Sequence, residues 1–337
     1  MVTIKDVARI AGVSIATVSR TLSKPESVSE NTQEKVNKAI AKSGYVTDAL
    51  ASNFRRRQSN TIVVIVPNIG NSFYAAVIQG IEKVAAANGY RVLLGDSQFR
   101  QGRESEYAEM VRQRLADGMI CLGRNVPIDT RTSIKAKDAP PVVMACEYQG
   151  PISVPSVVID NQLAAKEMTQ YLIKQGHHRI GFINGPDDMP ICQARFQGYL
   201  DALSEAKIRS SKGLVASGEF LLAEGYNLAH KMLSAKNPPT AIFCASDEMA
   251  VGAMNAAADL GLNVPADVSI AGFDDIEVAE YCRPALTTVH QPRTAIGEKA
   301  MLAMLQVLKG NEAEVSRTVL PHHLVIRSSV GKPKKSS

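Results

Sequence analysis

The chain has 337 residues, of which 45% are hydrophobic, and a formal net charge of +5. This length is enough for two or three domains, and the hydrophobic content excludes a disordered chain without a core. The longest apolar runs, such as residues 62–67, are far too short to cross a membrane. The five cysteines are scattered without a C-x-x-C pair, which argues against a disulfide framework or a zinc site and predicts a cytoplasmic protein.

The first two dozen residues predict two short helices joined by a turn. An apolar stripe at helical spacing begins after Thr3, a candidate N-cap, and stops at Gly12. Ser14 can cap a second helix that turns Val18 and Leu22 inward. Helix, glycine-containing turn and helix is the arrangement that places its second helix in a DNA major groove. An αα-hairpin without that function has the same spacing, so this stretch alone leaves both interpretations open.

A third helix is predicted between Ser29 and Gly44, and a further short helix over residues 48–57, DALASNFRRR. The short helix has no covering partner in the sequence, so we expect it to order only against DNA or a second chain. Before residue 58 the chain carries ten basic residues against five acidic ones, whereas the rest is near neutral. A compact basic module ahead of a near-neutral body indicates DNA as the partner.

From residue 61 onward, strands and helices alternate in two successive rounds. Five strand candidates lie between residues 61 and 159 and four more between 179 and 272, separated by helical segments such as residues 103–116. Apolar strands alternating with amphipathic helices predict two α/β subdomains with parallel sheets. Ligands of such sheets bind beyond the carboxyl ends of the strands, so we expect a site in the cleft between the subdomains.

The residues that follow these strands suit a neutral ligand with hydroxyl groups and a flat ring. Carboxylates outnumber cations, which disfavours a phosphorylated or carboxylated ligand. Asp247 can instead cap the helix that follows it, and both roles stay open. Glu147 can accept a hydrogen bond from the amino group of a base. The strand-end candidates are Phe73, Tyr74, Glu147, Arg195, Asp247 and Asp274.

Catalysis is not expected, and neither is a cofactor or a bound metal. The sequence has no G-x-S-x-G elbow, Walker A motif or G-x-G-x-x-G loop, and its two adjacent histidine pairs do not make natural chelates. A solute-binding protein that feeds a transporter is the alternative from a different class. Residues 61–330 alone would fit it, but it leaves the basic helical segment without a purpose.

Six segments together resemble the lactose-repressor (LacI/GalR) family of bacterial transcription regulators. They occur in the family's order from residue 2 to about 331 and read TIKDVARIAGVSIATVSR, VPNIGNSFY, GHHRIGFINGP, DEMAVGA, VPADVSIAGFDD and PALTTVHQP. The resemblance implies an all-α helix-turn-helix headpiece and hinge helix, followed by an α/β periplasmic-binding-protein-like body of two parallel-sheet subdomains. It also implies a homodimeric, ligand-controlled repressor on a near-palindromic operator. The implied boundaries are 1–46 for the headpiece, 47–60 for the hinge helix and linker, 61–159 plus 291–320 for the first subdomain, and 160–290 plus 321–332 for the second.

Transferred position by position, the resemblance implies a set of DNA contacts. The base-reading positions hold Ile15 and Ala16, which can touch only thymine methyls and carbon edges. Arg20 is therefore the candidate for polar base readout, with a phosphate contact as the alternative. Phe54 falls where the family wedges a side chain into the minor groove, although it can instead pack on the partner's hinge helix. The other implied contacts are Thr3, Ser14, Thr17, Ser19, Ser29, Asn53 and Arg55.

The resemblance also implies an effector site. Arg195 and Asp274 match positions that bind the polar groups of the effector, and Phe73, Tyr74 and Phe220 match positions that line the pocket. The segments GPDDMPICQARFQGY and VMACEY are most similar to those of the family's cytidine-responsive repressors. This implies a nucleoside such as cytidine as the effector and the cyclic-AMP receptor protein as a partner, with a sugar or a purine as the alternative effector.

Overall fold

The computed structural model describes residues 2–45, 58–98, 100, 102–123, 140–148, 155–311 and 317–334. The predicted hinge helix, with Asn53, Phe54 and Arg55, lies outside the described residues. The chain divides into two compact units, Met1–Ser59 and Asn60–Ser337. Within the described ranges, no helix is long and apolar enough to cross a membrane.

The first unit is built from three helices, α1 (Ile4–Ala11), α2 (Ile15–Ser23) and α3 (Glu30–Ser43), with a 3₁₀ turn at Pro25–Ser27. The backbone N–H and the hydroxyl of Thr3 both donate to the Asp6 carboxylate, over 3.0 and 2.7 Å, at the start of α1. Gly12 ends that helix in a left-handed conformation, with φ 67°, which costs a residue without Cβ little. The local signals in the sequence thus set these helix ends.

The core of this unit is small, and the prediction for one of its residues is wrong. Leu22 was expected to point inward, but it is 36% exposed, whereas Thr21 is 6% exposed. The reason is that α2 packs against α1 and α3 through the side that carries Val18 and Thr21, and the Thr21 hydroxyl donates to the carbonyl oxygen of Thr17 at 2.9 Å. The buried apolar residues are Val7, Ala8, Val18, Val36 and Ala39.

The body begins with the predicted alternation of strands and helices. Its first round contains β1 (Thr61–Val66), α4 (Ser72–Ala87), β2 (Arg91–Asp96), α5 (Arg103–Arg112), β3 (Gly118–Cys121), β4 (Val142–Ala145) and β5 (Ser156–Ile159). Helix α5 ends four residues earlier than predicted, because the backbone turns left-handed at Arg114, where φ is 60°. All residues of β3, β4 and β5 are buried, as expected for strands covered on both faces.

The second round lies close to its predicted positions. It contains α6 (Asn161–Lys174), β6 (Ile180–Asn184), α7 (Pro190–Glu205), a 3₁₀ turn at Lys212–Leu214, β7 (Val215–Ser217), α8 (Leu222–Leu233), β8 (Ala241–Cys244), α9 (Asp247–Asp259), β9 (Ser269–Ala271) and α10 (Glu277–Tyr281). Strands β6 to β9 form a parallel sheet in the order β7-β6-β8-β9. The predicted α/β fold class is therefore confirmed, and the sheet is a separate one from that of β1 to β5.

After β10 (Thr288–His290), the chain returns to the first sheet through α11 (Arg293–Leu308) and β11 (Arg317–Leu320), then leaves it for β12 (His323–Val325). Strand β11 pairs in parallel with β5, which completes a six-stranded sheet in the order β11-β5-β4-β3-β1-β2. Helices α4 and α11 cross closely at two glycines: a Cβ on Gly80 would lie 2.1 Å from the carbonyl oxygen of Thr294.

Three segments therefore carry the chain between the six-stranded sheet and the elements of the second round. They follow β5, β10 and β11, and we call them the first, second and third crossovers (residues 160, 291–292 and 321–322). Strands β10 and β12 pair antiparallel with each other beside these crossovers. Each crossover begins at the end of a strand. Polar residues on or next to a crossover therefore lie close to strand ends.

Candidate functional site

A cavity lies where strand ends of the two sheets meet, as predicted for a two-subdomain α/β body. It encloses about 360 Å³ of space between atoms, part of which is open to solvent. It receives side chains from both sheets and from the second crossover. The lining residues are Asn71, Phe73, Tyr74, Cys146, Glu147, Ile191, Arg195, Phe220, Ser246, Asp274 and Gln291.

Arg195, on α7, is the buried cation of this cavity and is only 4% exposed. Its Nε donates to Oδ1 of Asn161 at 2.9 Å, and its Nη1 donates to the carbonyl oxygen of Ala245 at 2.5 Å. The guanidinium also lies over the ring of Phe273, 3.7 Å from the ring centre. Contacts on three sides hold the charge in one orientation, which is what recognition of a polar ligand requires.

Asp274 follows β9 and faces Arg195. Its Oδ1 lies 3.9 Å from Nη2 of Arg195 and accepts a hydrogen bond from Nε2 of Gln291 at 2.7 Å. Burial raises the pKa of this carboxyl to about 6, and the Arg195 guanidinium limits the rise. The backbone at Asp274 is left-handed, with φ 114°, an uncommon conformation for a residue with a side chain. Such strained positions concentrate at functional sites.

A second polar group enters the cavity from the first sheet. The Tyr74 hydroxyl donates a hydrogen bond to Glu147, and both side chains are buried. Burial raises the pKa of the Tyr74 hydroxyl well above its ordinary value, and the neighbouring Glu147 adds to the rise. Phe73 packs edge-on against Tyr74, with ring centres 5.2 Å apart. The first-sheet side therefore offers a carboxylate acceptor next to aromatic surface.

The remaining wall is apolar. Ile191 is 4% exposed, Met189 beside it is 1% exposed, and Phe220 packs against both. Among the described residues, the charged groups that line the cavity are Arg195, Glu147 and Asp274. One guanidinium against two carboxylates leaves no excess positive charge for an anionic ligand.

Asp247 requires a correction, because its side chain does not line the cavity. It is fully buried, and its two carboxylate oxygens accept from the hydroxyl of Thr288 at 2.6 Å and the N–H of Ile276 at 2.8 Å. It does not cap α9 either, since the Ser246 hydroxyl accepts the N–H of Met249 there. Asp247 therefore links α9 to β10 and to the loop after β9, a role that depends on tertiary contacts.

The second helix of the first unit presents a surface suited to DNA. At about 100° per residue, Ile15, Ala16 and Arg20 fall within an arc of about 140°, on the side away from the buried Val18. Ile15 is 44% exposed, Ala16 and Arg20 are exposed, and Ser19 is half-buried. None of the described residues pairs with the Arg20 guanidinium. This side of α2 is thus free to enter a groove.

The other predicted DNA-contact residues in the described range have local roles in the helices. The Ser14 hydroxyl accepts the N–H of Thr17 at 3.1 Å and caps α2 as predicted. Ser29 precedes α3, but its hydroxyl contacts that of Thr32 at 3.0 Å, and no side-chain cap bond forms. A capping hydroxyl at a helix start can still reach a phosphate, so these contacts do not conflict with a DNA-binding role.

Comparisons with known proteins identify the family. Residues 3–48 match the family model "Bacterial regulatory proteins, lacI family", and residues 169–330 match "Periplasmic binding protein-like domain". The HTH-type transcriptional repressor CytR of Escherichia coli strain K12 is 42% identical over 327 residues, which cover 97% of this chain and 96% of that protein. The chain belongs to the lacI family of bacterial regulatory proteins. It is a DNA-binding transcriptional repressor of that family, whose members are regulators and not enzymes.

Solved structures of lacI-family proteins agree with the fold along nearly the whole chain. The lac repressor dimer bound to operator and the anti-inducer ONPF superposes with a TM-score of 0.85 at 27% identity, covering 98% of this chain and 99% of that one. The complex of the transcriptional regulator CelR with cellobiose gives a TM-score of 0.74 at 30% identity, covering 98% and 100%. The resemblance seen in the sequence is thus confirmed at the level of the family.

Sequence reasoning missed several residues that line the cavity of this lacI-family repressor. Asn71 caps α4, with its side chain accepting the N–H of Phe73 at 2.9 Å, and Ser246 caps α9. Cap residues of the helix that follows a strand were a usable signal, because the start of that helix lies at the same sheet edge. Gln291 had no such signal, since the second crossover brings it to the cavity.

Proposed function

We propose that this repressor binds a small neutral nucleoside such as cytidine in the cavity, and that the bound ligand controls operator binding by the headpiece. The observation that carries the proposal is the pairing of two polar groups in one cavity: Arg195 with Asp274 on one side, and Tyr74 with Glu147 on the other. Aromatic side chains at the same cavity provide surface for a flat ring.

The chemistry of the two polar groups suggests how the ligand lies. A sugar hydroxyl can donate to the Asp274 carboxylate and accept from the Arg195 guanidinium at once, because a hydroxyl is both donor and acceptor. Glu147 is an acceptor at the other polar group and suits the exocyclic amino group of cytosine. Phe73 and Phe220 supply apolar contact for the ring faces. We therefore place the ribose at Arg195 and Asp274 and the base at Glu147.

The charge balance favours a neutral ligand over a nucleotide. Binding a phosphate needs donors or positive charge in excess, as arginine and lysine clusters provide. Here the single guanidinium is already engaged by Asn161 and the Ala245 carbonyl, and the two carboxylates repel anions. A sugar without a base remains the second candidate, since a hydroxyl-rich ligand satisfies Arg195 and Asp274 equally well.

On the DNA side, we propose that two copies of the chain bind the two halves of an operator. The exposed side of α2 supports this, with Ile15 and Ala16 against thymine methyls and Arg20 at a guanine edge. Effector control requires only that the ligand bind one conformation of the body better than another. The cyclic-AMP receptor protein is a proposed partner on the sequence resemblance alone.

Calorimetric titration of the purified repressor with cytidine tests the proposal, with uridine, adenosine and ribose as controls. We expect saturable binding of cytidine that is at least tenfold tighter than that of adenosine or ribose. Operator affinity is then measured with and without saturating cytidine, and the two values should differ. Binding of ribose but not of nucleosides would show that the effector is a sugar and not a nucleoside. An operator affinity that saturating cytidine leaves unchanged would show that this ligand does not control operator binding.

A further inference from the structure

We propose that Asn161 and Gln291 are positioning residues of the effector site, which hold Arg195 and Asp274 at a fixed separation and tie them to two chain crossovers. The inference builds on the proposed function, because it takes the cavity to be the effector site. Both side chains are carboxamides, both are 2% exposed, and neither was singled out by the sequence.

Asn161 holds the guanidinium. It is the first residue of α6, directly after the first crossover, and its Oδ1 accepts the Nε–H of Arg195 at 2.9 Å. Its Nδ2 is buried and has no hydrogen-bond partner in the described part of the chain. The contact with Arg195 is thus the hydrogen bond that this side chain makes there.

Gln291 holds the carboxylate from another direction. It belongs to the second crossover, directly after β10, and its Nε2 donates to Oδ1 of Asp274 at 2.7 Å. The same Oδ1 lies 3.9 Å from Nη2 of Arg195, which is longer than a hydrogen bond. The guanidinium and the carboxylate are therefore close enough to attract each other, yet each is held back by an amide, one directly after the first crossover and one on the second.

This separation leaves hydrogen-bonding capacity for a ligand. An arginine in direct contact with a carboxylate would use two parallel hydrogen bonds, and both groups would then be less available. At 3.9 Å, a hydroxyl group can bridge the two by donating to Asp274 and accepting from Arg195. The amides thus select for a ligand that carries a hydroxyl group, and they keep the ion pair from closing in its absence.

The position of the two amides also connects the cavity to the crossovers. A displacement of the first crossover moves Asn161 and hence Arg195, and a displacement of the second moves Gln291 and hence Asp274. A ligand that requires one Arg195–Asp274 separation therefore favours one arrangement of the crossovers, and so one relation between the two sheets. This gives the differential affinity that effector control needs.

The test compares Asn161→Leu, which removes the acceptor, with Asn161→Asp, which keeps it. Gln162→Leu is the matched control, because Gln162 lies on the same turn of α6 as Asn161. The substitution removes an exposed amide that contacts Asp201 of α7. We expect cytidine to bind about tenfold more weakly to Asn161→Leu than to the wild type, since an orphaned guanidinium N–H swings toward Asp274. The Gln162→Leu control should stay within about twofold of the wild type, and Asn161→Asp should bind cytidine more tightly than Asn161→Leu because it keeps the acceptor. Thermal unfolding identifies a misfolded variant, in which case Asn161→Ala replaces Asn161→Leu.

Equal cytidine affinity of the wild type and Asn161→Leu would overturn the inference, and so would an Asn161→Asp variant as weak as Asn161→Leu. A wild type that binds no cytidine contradicts the proposed function instead. The Arg195 Nε–H resonance, assigned by its loss in Arg195→Lys, then decides the positioning role without any ligand. It should exchange with solvent at least tenfold faster in Asn161→Leu than in the control, and an unchanged rate would refute the role.

Discussion

The two units of this repressor present their functional side chains in opposite ways. In the headpiece, five small apolar residues form the core, and Ile15, Ala16 and Arg20 of α2, which we propose face DNA, are exposed and lie within six positions of one another. In the body, the residues of the proposed effector site are mostly buried and come from segments between residues 71 and 291. The headpiece can therefore change its recognition residues with little effect on its core, whereas the effector site is part of the core.

The largest expected effect is in the body. Arg195→Met removes the cavity's guanidinium and leaves Asp274 buried without its counter-charge, so we expect effector affinity to fall about 100-fold or more. The pKa of Asp274 should also rise, because Arg195 is the main group that lowers it. Calorimetry with the effector measures the loss. Operator affinity without effector should stay within about twofold of the wild type. A loss of operator affinity as large as the loss of effector affinity would show that Arg195 also serves DNA binding.

Arg20→Ala should have the next largest effect, confined to DNA. We expect operator affinity to fall by about 1–3 kcal/mol while effector affinity is unchanged. Binding to a panel of operators with single base changes measures whether the loss is specific. A base contact predicts relaxed discrimination at one position. A uniform loss across the panel, with a salt dependence reduced by about one charge, would assign Arg20 to a phosphate.

Val18→Ala tests the small core of the headpiece. Val18 is 0% exposed, and removing its two methyl groups should destabilise this unit by about 1.5 kcal/mol. Leu22→Ala is the matched control, since Leu22 is 36% exposed and should cost less than about 0.5 kcal/mol. Hydrogen exchange of the helix amides measures both. A larger effect at Leu22 would restore the inward position that the sequence suggested.

The smallest effect is the pH dependence of effector binding. The pKa of Asp274 is raised to about 6, so protonation below pH 6 removes the carboxylate that accepts a ligand hydroxyl. Effector affinity should fall about tenfold between pH 7 and pH 5, as the ionised fraction falls. Calorimetry across this range measures it. A flat profile would show that the ligand does not need the ionised form.

The free energy of unfolding should change with pH in the opposite sense to effector affinity, between about pH 4 and 6. The unfolded chain releases the Asp274 proton near the ordinary value of 3.8, whereas the folded protein keeps it up to about pH 6. The stability from the protonated form is therefore fully present below about pH 4 and is lost as the pH rises to 6. Asp274→Asn should lack this slope in urea unfolding, which separates the group's role in binding from its role in folding.

The sequence determined the elements of the protein and the edge at which its site lies. Apolar stripes, caps and glycine stops are set by residues a few positions apart, so the headpiece helices and the alternating strands could be read directly. Strand-end positions also pointed to Phe73, Tyr74, Glu147, Arg195 and Asp274, and all five line the cavity. The hinge residues lie outside the described part of the chain and stay predictions.

Only the tertiary structure decided which polar groups meet. Asn161 and Arg195 are 34 positions apart, Gln291 and Asp274 are 17 apart, and Tyr74 and Glu147 are 73 apart. Asp247 follows a strand as the others do, yet it turns into the core toward Thr288. These pairings are settled by packing between segments that are distant in the sequence, and such packing leaves no periodic signal there.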